Sequence, residues 1–213
     1  MTDNEVKNRK FYRSGVSDKP LTLDDARIAT VNSDDLIKKP RFSGDVLLPK
    51  PGDNSFNEAI RAINMFYWDA VDQDVFGRNY KIFDCENIVA VPGPNEPDAS
   101  DAILKKIAGH VSIFEEQDFL HIIVFNVWPQ WQRRGVGNRM LDDVTRIAKE
   151  RDFPSIKLGT TNDNIPALYF YQKYGFVLDE IIPEQVMRDF GCELDGFAGI
   201  PVRDEIHLRY DIR

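Results

Sequence analysis

The sequence is poor in several features that would assign it to a specialised class. It has only two cysteines, Cys85 and Cys192, which are too few for a disulfide framework, and their spacing matches no metal-binding pattern. No apolar run approaches the ~18 residues that a membrane span requires, and the N-terminus lacks the apolar segment of a secretory signal. We therefore expect a cytoplasmic protein with reduced thiols, without a membrane span and without a bound metal.

An excess of positive charge is also missing. The chain has 27 lysines and arginines against 35 aspartates and glutamates, which gives a net charge of −8. Because nucleic-acid binding requires a basic surface for the phosphates, this balance argues against a nucleic-acid partner. It is compatible with a small cationic or amine partner, and the 42% of hydrophobic residues suffices for a sizeable core.

What is present is an irregular succession of helical and strand-like segments. Residues 1–44 show no sustained periodicity and are interpreted as an N-terminal extension, partly ordered at most, before a domain at 45–213. Apolar residues recur at helical spacing over 56–76, which predicts one long helix or two short ones. Three strand-like runs follow (YKIFDCENIVAV, KIAGHVSIF and FLHIIVFNVW), and then helix, strand, helix and strand. This order predicts an α+β fold with a mixed, mostly antiparallel sheet.

The segment QRRGVGNRML, residues 132–141, is a glycine-containing turn between a predicted strand and a predicted helix. The first N–H groups of a helix lack intrahelical partners and carry partial positive charge, so a helix start binds phosphate. Glycines let the backbone approach phosphate oxygens, and arginine adds a charge-assisted contact. The predicted phosphate site comprises Arg133, Arg134, Gly135, Val136, Gly137 and Asn138.

Two better-known phosphate loops do not fit this segment. A P-loop requires Lys followed by Ser or Thr after its second glycine, where this chain has Asn138 and Arg139. A dinucleotide-binding turn requires a third glycine where Met140 stands. A tight turn whose arginines simply face solvent is the alternative interpretation.

The surrounding sequence resembles the GNAT superfamily of N-acetyltransferases in two separate blocks. The block VWPQWQRRGVGNRML is similar to the acyl-CoA-binding segment of that family through Val127, Pro129, Trp131, Gln132, Gly135 and Gly137. The block NIPALYFYQKYGF is similar to the family's next helix through Asn164, Ala167, Phe170, Tyr171, Gly175 and Phe176. The closing GIPVRDEIHLRYDI further resembles a bacterial subgroup of unassigned substrate. The resemblance covers roughly residues 45–213 and leaves the first 44 unexplained.

The resemblance implies a GNAT-type central sheet, splayed at the acyl-CoA-binding strand and flanked by helices. It also implies acetyl-CoA as co-substrate and direct acetyl transfer to an amine, without a metal. The family polarises the thioester with a strand N–H, here that of Val127 or a neighbour, and Gln132 lies in its acyl-CoA motif. Tyr171 occupies the position of the general acid that protonates the leaving thiolate, and Asn164 that of an amide near the pantetheine. The structural alternative for Tyr171 is that its ring packs in the core without a role in catalysis.

The group that deprotonates the attacking amine is less well defined by the resemblance. His121 lies where some family members have a strand glutamate, and an imidazole with an ordinary pKa near ~6.5 titrates in the useful range. Glu205 on the last strand, or a water chain, is the alternative base. A histidine beside the core or facing solvent is the structural interpretation of His121, and His110 and His207 are interpreted as structural.

Two functions from different classes stay open at this point. One is an N-acetyltransferase acting on a primary amine of a small molecule or peptide. The other is a non-catalytic acyl-CoA-binding module that keeps the glycine turn but has lost the chemistry. The acceptor and the oligomeric state, monomer or homodimer, are not specified by the sequence.

Overall fold

The computed structural model describes residues 40–94, 106–192 and 194–213. The strands are β1 (Asp45–Leu47), β2 (Gln73–Val75), β3 (Arg78–Tyr80), β4 (Glu86–Val91), β5 (Gly109–Glu115), β6 (Leu120–Val127), β7 (Ser155–Thr161), β8 (Val177–Ile182), β9 (Leu194–Asp195), β10 (Pro201–Val202) and β11 (Glu205–Asp211). The helices are α1 (Asn57–Trp68), α2 (Val136–Glu150), α3 (Ile165–Tyr174) and α4 (Gln185–Phe190). No helix among them is long and apolar enough to cross a membrane.

Seven of the strands form one central sheet in the order β1-β4-β5-β6-β7-β11-β8. Every neighbouring pair is antiparallel except β6 and β7, which run parallel because α2 connects them as a crossover. Two short ribbons, β2-β3 and β9-β10, lie outside this sheet. The predicted α+β fold with a mixed, mostly antiparallel sheet is confirmed.

The parallel pair β6-β7 separates soon after it begins. Residues 120–122 pair with residues 156–158, but β6 continues to Val127 and β7 to Thr161. The pairing of β6 with β5 skips Ile123, because Ser112 faces Val124 and Ile113 faces Ile122. Such a bulge bends its strand. The bend at Ile123 therefore accompanies the divergence from β7, and the splayed sheet implied by the resemblance is confirmed.

Helices cover both faces of the sheet. Gly109 touches α2, since a Cβ on it would lie 2.8 Å from the Met140 methyl carbon. The next residue, His110, bonds Asn64 of α1 at 3.3 Å. Because successive strand residues point to opposite faces, α1 and α2 lie on opposite faces. A bond of 3.1 Å between the Thr145 and Tyr174 hydroxyls places α3 beside α2.

Two predicted segments are divided more finely in the structure. The helical pattern over 56–76 ends at Trp68, where Asp69 takes a left-handed backbone (φ 50°) and the chain enters the β2-β3 ribbon. The run predicted as one strand, YKIFDCENIVAV, is interrupted by a 3-10 turn at Ile82–Asp84. The Asn87 side chain stabilises that interruption by donating to the carbonyls of Ile82 and Cys85.

The predicted extension, residues 1–44, lies mostly outside the described residues. Its described part, residues 40–44, packs against the glycine turn. Phe42 is 6% exposed, its ring meets that of Trp131 at 5.9 Å, and its N–H donates to the carbonyl of Arg134. The boundary between extension and domain stays a prediction.

Candidate functional site

A cleft of about 980 Å³ opens where β6 and β7 diverge. Residues 122–125 of β6 form one wall and residues 158–161 of β7 form the other. The start of α3 and Tyr171 close it on the α2 face, and residues 68–70 and 72–75 border it on the α1 face. The bend at Ile123 thus accompanies a large concave site, of the kind in which a ligand binds.

The free edge of β6 directs backbone groups towards this cleft. The N–H of Trp128 donates to the carbonyl of Ala108 at 3.1 Å, which fixes the alternation of the β5-β6 ladder. In an antiparallel pair, successive N–H groups point to opposite edges. The N–H groups of Phe125 and Val127 therefore point away from β5, to the side that β7 leaves open. The carbonyl of Val127 on that edge accepts bonds from the Tyr67 hydroxyl and, at 3.1 Å, from the Gln132 amide.

The glycine turn forms the start of α2, as predicted. Gly135 is the residue before the helix, with a left-handed backbone (φ 89°), no side-chain cap and open space where a Cβ would stand. Gly137 is required for packing, because a Cβ there would lie 2.9 Å from the ring of Phe170 and 3.7 Å from that of Phe125. Since Phe125 lines the cleft, Gly137 packs beside a residue of the cleft wall.

The two arginines of the turn differ in their surroundings. Arg133 is exposed and has a left-handed backbone (φ 62°). Arg134 is 6% exposed: its Nε donates to the carbonyl of Pro40 at 2.9 Å, and its guanidinium lies 4.5 Å from the Trp131 ring. Asn138 is exposed in the first turn of α2, and Val136 is buried. The structure therefore uses Arg134 to hold the chain near residue 40, and leaves Arg133 accessible.

Tyr171 lies in the wall of the cleft, where the resemblance places a general acid. It is 7% exposed, and its ring packs against Phe125 at 5.9 Å and Phe176 at 5.5 Å. Burial raises the pKa of the Tyr171 hydroxyl above its usual value. The group therefore stays protonated at neutral pH and is available as a proton donor.

Asn164 also lines the cleft, and the structure gives it a second task. Its side-chain oxygen accepts the N–H of Ala167 at 3.3 Å, so Asn164 caps the N-terminus of α3. Pro166 in the first turn and Gly175 at the end complete the helix signals read from the sequence. Asn164 thus holds in place the helix that carries Tyr171.

His121 is not among the residues that line the cleft. It is fully buried, with its ring against Phe76 (4.4 Å) and Phe119 (5.6 Å) and its Nδ1 3.2 Å from the Tyr80 hydroxyl. Within the described chain its Nε2 has no hydrogen-bond partner. Burial lowers the pKa of His121 to about 3. The structure thus separates His121 from the groups around Tyr171.

Glu205, the alternative base, does line the cleft. Its Oε1 accepts the N–H of Phe76 at 3.1 Å and faces the Nε2 of His207 at 3.0 Å. Burial raises the pKa of this carboxyl, but the bonds from His207 and the Phe76 N–H outweigh it, and the pKa of Glu205 falls below its usual value. The side chain is therefore an anion at neutral pH.

His207, which the sequence leads us to interpret as structural, contacts Glu205 of the cleft wall. Its two ring nitrogens face carboxylates, Glu205 on one side and Glu180 on the other. The strict alternation of the last strand puts residues 205 and 207 on one face, and this pattern indicates the contact between His207 and Glu205. Glu180 is on a different strand, β8, and no local pattern indicates it.

Negative charge dominates the wall of the cleft. No lysine or arginine in the described part of the chain lines it, whereas six carboxylates do. They are Asp69, Asp72, Asp74, Asp163, Asp189 and Glu205. Among the described residues, no three histidine, cysteine or acidic side chains are grouped so as to hold a metal ion.

Comparison with known proteins assigns this architecture. The profile of the Acetyltransferase (GNAT) family matches residues 59–176, which is more than half of the chain and includes the splayed strand, the glycine turn and α3. The chain belongs to the GNAT acetyltransferase family. Members of this family are acetyl-CoA-dependent transferases that act on amine acceptors.

Curated relatives of this GNAT chain come from Bacillus subtilis. The uncharacterized protein YxbD is 36% identical over 107 residues, or 48% of this chain and 66% of YxbD. The uncharacterized N-acetyltransferase YvbK is 31% identical over 94 residues, or 44% of this chain and 59% of YvbK. The match thus spans less than two thirds of either relative.

Solved structures show the same fold at lower identity. A Bacillus subtilis acetyltransferase in complex with CoA superposes with a TM-score of 0.58 at 22% identity, covering 82% of this chain and all of the other. A GNAT family acetyltransferase from Elizabethkingia anophelis with acetyl-CoA bound gives 0.53 at 21% identity, covering 78% of this chain and 97% of the other.

Proposed function

We propose that this protein transfers an acetyl group from acetyl-CoA directly to a primary amine of a small molecule or peptide. One observation carries the proposal. The divergence of β6 and β7 opens a cleft that is lined by a free strand edge, a protonated tyrosine and an ionised carboxylate, and a phosphate-type helix start packs against Phe125 of its wall. Each of these groups has a distinct task in acyl transfer to an amine.

The glycine turn holds the phosphates of the co-substrate in this proposal. The N–H groups at the start of α2 face outward past Gly135, whose lack of a side chain leaves the space free. Arg133 supplies the accessible positive charge. Arg134 contributes indirectly, by fixing the turn against residue 40. Gln132 and Asn138 border the same site.

The edge of β6 polarises the thioester. The N–H groups of Phe125 and Val127 point away from β5, to the open side of β6, and an N–H aimed at the thioester carbonyl oxygen stabilises the negative charge that develops there. Tyr67 and Gln132 hold the Val127 end of this edge in position through its carbonyl. Tyr171 then donates its proton to the departing thiolate.

Glu205 is the better candidate for the group that receives the amine proton. It lines the cleft and is ionised, whereas His121 is fully buried and lies outside the cleft. The carboxylates of the wall favour an acceptor that arrives as a cation, because an ammonium is attracted to them before it is deprotonated.

The alternative function is an acyl-CoA-binding module without catalysis. It requires the turn and the strand edge but neither Tyr171 nor Glu205. The presence of both side chains in the wall of one cleft favours the enzyme.

Calorimetry with CoA, followed by thiol release from acetyl-CoA over a panel of amines, separates the two functions. We expect binding and amine-dependent release. In Tyr171→Phe we expect kcat to fall roughly 10²-fold or more, as for a positioned acid, with little change in KM for acetyl-CoA because the ring is kept. Binding without release on any amine supports the module, and full turnover in Tyr171→Phe assigns this tyrosine to packing.

A further inference from the structure

Glu205 forms a shared wall between two cavities. On one side is the cleft between β6 and β7. On the other is an outer cavity of about 410 Å³, which Glu205 lines together with His207, Glu180 and the ring of Phe76. A proton that Glu205 accepts on the cleft side can therefore leave on the other side, through the outer cavity.

His207 continues this route towards solvent. It is 6% exposed, with its Nε2 3.0 Å from Glu205 Oε1 and its Nδ1 3.4 Å from Glu180 Oε2. The Glu180 side chain is 65% exposed, whereas that of Glu205 is 12% exposed. The three side chains thus form a continuous line from the cleft to the protein surface, with an imidazole in the middle.

We propose that Glu205, His207 and Glu180 form a proton outlet, through which the proton of the acceptor ammonium leaves on the outer face of the sheet while acetyl-CoA and the acceptor fill the cleft. This inference rests on the proposed acetyltransferase function and assigns to it a specific route. His207 touches neither substrate, so it acts through Glu205.

The protons balance over one turnover. The acceptor ammonium gives one proton to the Glu205 carboxylate, and the N–H bond that breaks leaves a lone pair for attack on the thioester. Glu205 passes the proton to Nε2 of His207, which becomes an imidazolium between two carboxylates. The imidazolium gives one proton from Nδ1 to Glu180 and solvent. The ring is then protonated on Nε2, the form that donates to Glu205 at rest. Before the next transfer, water in the outer cavity takes the Nε2 proton and returns one to Nδ1, so that one proton per turnover reaches solvent. The second proton of the acceptor nitrogen replaces the one that Tyr171 gave to the thiolate.

The surroundings of His207 fix the imidazole in this role. The ring of Phe76 stacks on it with centroids 3.7 Å apart, and the Phe76 N–H holds Glu205 Oε1. Lys157, on the neighbouring strand, also lines the outer cavity, but its charge is paired with Asp179 at 2.9 Å. His121, whose ring also contacts Phe76, is kept neutral by burial. The two carboxylates are thus the charged groups in hydrogen-bond range of the His207 ring.

A purely structural role is the competing explanation, in which His207 only orients Glu205 by a hydrogen bond. His207→Gln separates the two roles, because a glutamine side chain keeps an N–H donor for Glu205 but cannot carry a proton. His207→Ala removes both functions and opens space next to the outer cavity, into which free imidazole from the buffer can enter.

The test measures kcat/KM for the acceptor against pH, with acetyl-CoA saturating, in the full-length protein. We expect both His207 variants to lose about tenfold or more, below the ~10²-fold or greater loss in Glu205→Gln, since the base itself is kept. Imidazole should restore His207→Ala in a concentration-dependent way and leave Glu205→Gln unchanged. Glu180→Gln should lower the rate, and added buffer should restore it, whereas Asp179→Asn, with the same charge change on the same strand, should not respond to buffer.

Wild-type activity in His207→Gln, or a loss in His207→Ala that imidazole does not restore, overturns the outlet and leaves orientation of Glu205 as the role of His207. Equal buffer responses in Glu180→Gln and Asp179→Asn also overturn it, because they reduce the effect to overall charge. Failure of the acetyltransferase proposal is distinguishable, since the wild-type protein then releases no thiol with any amine.

Discussion

His121 and His207 both contact Phe76, yet their surroundings give them different chemistry. His121 is enclosed by aromatic rings, its Nε2 has no hydrogen-bond partner in the described chain, and burial lowers its pKa to about 3. His207 has a carboxylate at each ring nitrogen and borders an outer cavity. The position of His121 in the family motif favours it as the base. The groups that surround the two imidazole rings instead favour Glu205 as the base, with His207 beside it.

Replacing His121 with leucine tests this distinction at the residue scale. Because its folded pKa is depressed, His121 contributes stability that is present above pH ~6.5 and is lost as the pH falls towards about 3. At pH 5 the wild-type protein should therefore have lost about 2 kcal/mol that His121→Leu keeps. Urea unfolding at pH 8 and pH 5 measures this difference, and kcat at pH 8 should change little.

Two outcomes contradict the buried, neutral His121. One is an unchanged acid sensitivity of stability in the variant. The other is a large loss of turnover at pH 8 in a variant that stays folded, which would restore His121 as the base in place of Glu205. His110 serves as an internal reference, because burial also lowers its pKa to about 3 and it is present in both proteins.

At the scale of elements, the sequence predicts the segments whose signals are local. The start of α2 follows from two glycines after a strand, and α3 from Asn164, Pro166 and Gly175 at its ends. The β2-β3 ribbon is not predicted, since its strands have three residues each and the apolar spacing of α1 runs on through it. That ribbon carries Phe76, which positions Glu205 across 129 residues of sequence.

Long-range contacts also decide the roles of charged side chains. Arg134 lies in the predicted phosphate turn, but its partner is the carbonyl of Pro40, far away along the chain. Glu180 reaches His207 because β8 pairs with β11. Neither contact has a local pattern in the sequence. The sequence therefore predicts the glycine turn, but it does not predict which arginine of the turn is buried and which is accessible.

The glycine turn offers a matched test at the level of one element. Gly135 has φ 89° and Gly52 has φ 83°, and a Cβ at either meets nothing within 4 Å. A change to valine at either position therefore imposes a similar backbone strain, but only position 135 lies at the start of α2. We expect Gly135→Val to weaken CoA binding about tenfold or more, as measured by calorimetry, on the scale of ~1.4 kcal/mol per tenfold.

The control variant Gly52→Val should bind CoA as the wild-type protein does. Circular dichroism should show that both variants keep the native fold. Equal losses of affinity in the two variants would attribute the effect to general backbone strain. An unchanged affinity in a folded Gly135→Val protein would show that the turn does not bind the phosphates of CoA.

At the scale of the whole molecule, side chains of opposite charge lie at the sites proposed for the two substrates. Six carboxylates and no lysine or arginine of the described residues line the cleft, whereas the accessible Arg133 lies at the glycine turn. An anionic co-substrate and a cationic acceptor are therefore attracted to different parts of one site. This arrangement favours an acceptor with a second positive charge besides the amine that reacts.

Asp72→Asn tests the contribution of the acidic wall, because Asp72 is exposed and lines the cleft. With a diamine as acceptor at low ionic strength, we expect KM to rise about two- to fivefold, the size of one partly exposed ion pair, and kcat to stay the same. At 0.5 M salt the difference from the wild-type protein should shrink, since the screening length falls below ~10 Å. Asp45→Asn is the matched control, because Asp45 is also exposed but lies on β1 at an edge of the sheet. If the KM for the diamine changes neither with salt nor in Asp72→Asn, the acidic wall does not select the acceptor. If KM rises equally in Asp45→Asn, the effect comes from the net charge of the protein and not from the wall of the cleft.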